Sequence, residues 1–185
     1  LEYRIPEIAF LSLILFLVSM EMVGALLSFI NPSRPILRVD SLEEAALIII
    51  SPFMAYSIHC TTKIISLKLL GREPSLRVAR VKIFPVISPF DPSQKPVSLR
   101  SFLRKTLGFD AVIAFVLLFF LVVTPTYDYP LALTFAFYMA LLSRRFYLLA
   151  VTFFLPETLT VVDLIDQAFF YGPYEEIEVG GTSAE

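Results

Sequence analysis

Glu21 is the side chain in this sequence best placed to do chemistry, because it lies near the middle of the apolar run 8–30. An ionised carboxylate is expensive at that depth, so Glu21 is expected to face protein or water. It reads either as a protonated hydrogen-bonding group or as a proton or cation site. Leu17, Glu21, Gly24 and Ser28 share one helical face, and the small pair four residues apart permits close helix approach. At about 1.5 Å of rise per residue, Ser51 and Tyr138 fall near the level of Glu21, and His59 is roughly 12 Å deeper than Ser51. Glu21, Ser51, Tyr138 and His59 are therefore the candidate intramembrane polar site, with Ser51 and Tyr138 the better partners for Glu21.

His59 and Cys60 are adjacent, but a transition-metal centre needs three or four ligands, and the sequence has no second histidine or cysteine. His59 is read as a helix-interface residue. Asp110 lies close to Arg104 and Lys105, and a local ion pair is expected there. Glu175, Glu176 and Glu178 sit in an acidic tail with nothing to hold them for acid–base work. No catalytic, cofactor-binding or metal-binding set emerges, and the chain is read as non-enzymatic, with no cofactor.

The elements that must position these residues are apolar and long. The chain has 185 residues, 57% of them hydrophobic, and a mean hydropathy of +0.76. A bilayer core about 30 Å thick needs roughly 20 helical residues to cross. Spans are expected at about 8–30, 45–67, 107–123 and 127–143, joined by a loop over 68–106. The fourth is ended at 143 because Arg144 and Arg145 would otherwise sit deep in lipid; they are expected to snorkel to the surface. An interfacial segment over 146–170 is expected to include an amphipathic helix from Pro156 to Phe170. Five prolines over 74–96 exclude a single helix there, and Leu76–Phe84 reads as extended. Ser98–Leu107 reads as a basic amphipathic helix running into the third span. The fold class is an all-α membrane domain over 1–170 with interfacial helices, followed by an acidic tail over 171–185.

Charge sets the expected orientation. Residues 68–105 carry nine basic and two acidic side chains, whereas 157–185 carry seven acids and no base. Lysine and arginine near membrane ends stay cytoplasmic, so both termini are expected inside. The basic surface of Arg72, Arg77, Arg80, Lys82, Arg100, Arg104, Lys105, Arg144 and Arg145 suits anionic lipid headgroups or an acidic partner, not nucleic acid. Scarce asparagine, glutamine and cysteine with 13 prolines suggest a thermophile-like composition.

The run Ser66-Leu67-Lys68-Leu69-Leu70-Gly71, with Pro96-Val97-Ser98-Leu99-Arg100-Ser101-Phe102-Leu103-Arg104, resembles the RDD family of small polytopic membrane proteins. Arg144-Arg145 and 158–162 echo its closing segment, although the family's His-Asp pair is absent. The resemblance implies a multi-pass helical fold and adds transport as an expectation. The leading functional expectation is an accessory or scaffold subunit that packs with other membrane subunits or with itself in a prokaryotic cell membrane. The alternative is a small oligomeric transporter or ion-coupling protein titrating Glu21.

Overall fold

Two serines and a glycine punctuate the long helices. A computed structural model of the chain describes residues 5–30, 32, 41–81, 84–93, 95, 97–124, 127–153, 160–163 and 168–171. Helix α1 covers Ile5–Ile30 and α2 covers Leu42–Leu69. The Ser41 side chain caps α2 by accepting from the Glu44 amide at 3.1 Å, and Glu43 and Glu44 complement the positive end of the helix dipole. At its other end Gly71 takes φ +73°. The Arg72 amide donates to the Leu67 carbonyl at 3.0 Å and the Gly71 amide to that of Lys68 at 2.9 Å. This double bond with a left-handed residue stops the helix, and glycine adopts that conformation without steric penalty.

The loop that follows folds into an antiparallel hairpin of β1 (Ser75–Val81) and β2 (Phe84–Phe90), with Ser75 opposite Phe90 and Val81 opposite Phe84. The expected extended segment is thus one half of a hairpin. Strand β3 (Val97–Ser98) leads directly into α3 (Leu99–Val123), capped by Ser98, which accepts from the Ser101 amide at 3.2 Å. The basic amphipathic segment and the third span are one continuous helix, as expected.

The fourth apolar run is divided between two helices. Helix α4 covers Asp128–Leu141 and α5 covers Ser143–Thr152, with a tight corner at Leu142. The stretch long and apolar enough to cross a membrane runs Asp128–Ala150 and so includes both arginines. Four such helical stretches give the architecture of a multi-pass membrane protein. Part of the segment expected to be an amphipathic helix from Pro156 forms strands instead. Strand β4 (Thr160–Asp163) pairs with β3 and with β5 (Ala168–Tyr171) in an antiparallel sheet. The physical reason is local: Val161, Val162, Phe169, Phe170 and Tyr171 are β-branched or aromatic, and β3 offers an edge. The acidic tail beyond Tyr171 lies outside the described residues.

Helix α4 is the hub. It packs against α1, α2 and α3, and the span it forms with α5 is the most buried of the four. Small residues make this possible: Ala132 and Ala136 on α4 and Ser51 and Ala55 on α2 are fully buried, matching the seams expected on those helices. A second cluster joins Leu99 and Phe102 of α3 to Leu148 of α5, with Ile8 and Leu70 packed around them. The apolar side of the basic helix start therefore rests on protein.

Candidate functional site

The polar centre of the bundle is Asp110, which is 1% exposed. Its Oδ1 accepts from the Tyr138 hydroxyl at 3.1 Å, and its Oδ2 pairs with Nη1 of Arg145. Arg145 is itself buried. Thr62 lies beside the Tyr138 hydroxyl and donates to the His59 carbonyl at 2.8 Å. The His59 ring meets Tyr138 edge-on, with centroids 6.5 Å apart. Three spans thus converge on one ion pair, and α4 with α5 supplies Tyr138 and Arg145.

Helical register explains the convergence. Helices α2 and α4 run parallel: Ser51 donates to the Pro130 carbonyl at 3.1 Å, and eight residues further along each helix His59 meets Tyr138. Asp110 lies 13 residues before the end of α3 and Arg145 lies 17 residues after the start of α4. At about 1.5 Å per residue, these positions are roughly 20 and 25 Å from the same end of the bundle. The corner at Leu142 closes with the Arg145 amide donating to the Leu142 carbonyl at 2.9 Å, and this turn aims the guanidinium inward.

Several expectations are corrected by this geometry. Asp110 pairs with Arg145, 35 residues away, and not with Arg104 or Lys105. Arg145 is not held at a surface; it is buried and paired with a buried carboxylate. Tyr138 sits with His59 and Asp110 instead of at the level of Ser51 and Glu21, because α4 begins about two turns deeper than α2. The Nδ1 atom of His59 is buried and finds no hydrogen-bond partner among the described residues. Among those residues no group of three or more potential metal ligands occurs.

Glu21 lies apart from this cluster. Helix α1 packs inward through Ser12, Phe16, Ser19, Met20, Val23 and Leu27. Ser12 donates to the Ser143 hydroxyl at 2.7 Å, Phe16 meets Phe137 at 5.0 Å, and Val23 is 1% exposed. Glu21 is two residues from both Ser19 and Val23, about 200° around the helix, and it is exposed. Of the expected inward face, Leu17 and Glu21 are exposed within this chain, and Gly24 and Ser28 are half-buried. Leu17 is 54% exposed, and a Cβ added to Gly24 would meet nothing within 4 Å.

The basic surface is partly occupied by the chain itself. Arg72 pairs with Asp91 at 3.5 Å and donates to the Lys95 carbonyl at 3.1 Å. Lys105 donates to the Leu69 carbonyl at 2.7 Å, at the negative end of the α2 dipole. Lys63 reaches Ser88 on β2 at 3.4 Å. Arg100 and Arg104 are exposed, and Arg144 is partly buried. The side chains of Arg77 and Arg80, and all of Lys82, lie outside the described residues.

Sequence reasoning missed the Asp110–Arg145–Tyr138 set because the three are far apart along the chain. A signal was nevertheless present: one acid in the third apolar run and a base at matching depth in the fourth. Comparison of the chain with protein-family models, curated proteins and solved structures gives no match, so the resemblance to the RDD family stands on its motif residues alone.

Proposed function

We propose that this chain is a non-enzymatic subunit of a larger assembly in a cell membrane, and that the outer face of α1 is where it joins that assembly. The observation that carries this reading is the exposed Glu21 in the middle of an apolar helix. An acidic side chain at the bilayer centre costs about 2.5–3.5 kcal/mol on insertion scales. A polar partner on a neighbouring polypeptide removes most of that cost. The Asp110 cluster plays the complementary role inside the chain: its charges are paired, and it fixes α3, α4 and α5 against one another. The RDD resemblance is compatible with this reading as a fold-level likeness.

The positive-inside rule supports a cytoplasmic position for the loop over 68–105, and with it cytoplasmic termini. The start of α3 then lies at the inner surface, where Arg100 and Arg104 meet anionic headgroups. Native mass after gentle solubilisation from membranes tests the central claim. An assembly larger than one chain is expected; Glu21→Gln should preserve it, and Glu21→Leu should weaken it. A single-chain mass would overturn the subunit reading. Loss of an ion flux in Glu21→Gln with assembly intact would replace it with the ion-coupling alternative.

A further inference from the structure

The hairpin of β1 and β2 is held beside the end of a membrane-spanning helix. The 28 residues of α2 rise about 42 Å at about 1.5 Å each, roughly 12 Å more than a bilayer core needs. Thr61, Thr62, Lys63, Ser66 and Lys68 put that surplus at its C-terminal end. The hairpin lies along this stretch: α2 packs against β2, and Nζ of Lys63 donates to the Ser88 hydroxyl at 3.4 Å. Its base is clamped. Arg72 pairs with Asp91 at 3.5 Å and donates to the Ser93 hydroxyl at 3.3 Å, and the Ser93 amide donates to Oδ1 of Asp91 at 2.9 Å. These bonds fix the hairpin at the level where α2 leaves the hydrocarbon.

What the hairpin presents there suits the headgroup boundary. Leu76 and Val78 share one side of β1 and are 63% and 62% exposed. Residues 75–90 hold three basic side chains, Arg77, Arg80 and Lys82, and no acidic one. Aliphatic groups together with basic charge are the composition of elements that lie in the interface of an anionic membrane. The backbone limits the depth. Among the described residues β1 and β2 pair only with each other, so each has an open edge whose polar groups the hydrocarbon core would leave unsatisfied. We propose that this hairpin is an interfacial anchor: Leu76 and Val78 insert at the headgroup boundary around the C-terminal end of α2, and anionic phospholipid is its partner. A helix that crosses a bilayer brings headgroups to this spot, whereas a soluble partner would have to compete with them. An isolated two-stranded hairpin is at best marginally stable in water, and the lipid boundary supplies the apolar face it lacks.

The sequence contains no tryptophan, so Leu76→Trp and Val78→Trp each give the whole chain a single reporter. Each variant is reconstituted in bilayers of phosphatidylcholine alone or mixed with phosphatidylglycerol. Tryptophan itself favours interfaces, so Pro92→Trp, at an exposed position beside the clamp, is the control on the water side. Reporters at 76 and 78 are expected to emit at shorter wavelength than the one at 92. They should be quenched by lipids brominated near the headgroup and shielded from aqueous iodide. Removing phosphatidylglycerol or raising salt should cut the lipid quenching about twofold, because each basic contact weakens with surface charge and with screening. Arg77→Gln/Arg80→Gln/Lys82→Gln should abolish that dependence while matching the parent in thermal unfolding in detergent. Water-like emission at 76 and 78, or quenching at 92 as strong as theirs, overturns the anchor. Shielding from iodide and brominated lipid alike means that protein covers the strand, and overturns it as well. Lipid quenching indifferent to headgroup charge overturns the anionic partner.

Discussion

Asp110 and Glu21 are both carboxylates within apolar helices, and the chain treats them in opposite ways. Asp110 is enclosed by three helices, with Arg145 on one oxygen and Tyr138 on the other. Glu21 projects from the outer face of α1 among Leu17, Val18 and Met22, all exposed. The first carboxylate is neutralised by its own chain and holds the tertiary structure. The second has the same physical need in a membrane, and it turns that need outward. An intramembrane acid is thus informative only once its facing direction is known: inward it is a clasp, and outward it is a side chain its own chain leaves exposed.

The largest expected effect comes from breaking the clasp on one side. Asp110→Leu or Arg145→Leu should destabilise the folded chain by about 3–5 kcal/mol, because each leaves a buried charge uncompensated. Equilibrium unfolding in detergent measures this. The double variant Asp110→Leu/Arg145→Leu should recover most of the loss; a double variant as unstable as the sum of the singles would show that the pair is not the coupled unit described here. Tyr138→Phe keeps the ring against His59 and removes one hydrogen bond to a charged acceptor, for an expected loss of about 1.5–3 kcal/mol.

Smaller effects test the contrast from the other side. Glu21→Leu should leave unfolding within about 0.5 kcal/mol of the parent, since Glu21 lies on the exposed face of α1. A loss as large as that of the clasp variants would place Glu21 in the tertiary structure. Ser12→Ala, which removes the bond from α1 to Ser143, should cost about 1 kcal/mol in the same assay. Cysteine labelling at Ser33 and Ser93 from outside intact cells checks the common frame: reaction at 33 alone is expected, and reaction at 93 alone would invert the chain.

The legible part of the molecule was the part set by local pattern. Four apolar helices followed from run length, and the joining of the basic helix to the third span followed from uninterrupted periodicity after Ser98. The small-residue seams on α2 and α4 were also readable, because alanine and serine recur there at helical spacing. The facing of α1 was not. It is apolar all round, so no polar side marks the outside, and two rows compete for the interior. One carries Ser12 and Ser19; the other carries Glu21, Gly24 and Ser28. The rule that acids avoid lipid selected the second row, whereas packing against α4 and α5 uses the first. The partner of Arg145 was not legible for a related reason. Insertion costs are tabulated for lone arginines, and Arg145 has a partner 35 residues upstream that no local window includes. The sheet that replaces the expected helix beyond Pro156 depends on β3, a two-residue strand far upstream (Val97 pairs with Val161 and Ser98 with Thr160) that offers no recognisable pattern alone.

The order of Asp110 and Arg145 along the chain has a consequence for biogenesis. During synthesis the third span emerges first, carrying an acid with no counter-charge, and the fourth follows with two arginines that make it a reluctant passenger into lipid. Neither segment is comfortable alone, so the two are expected to leave the insertion machinery together, as an already paired hairpin.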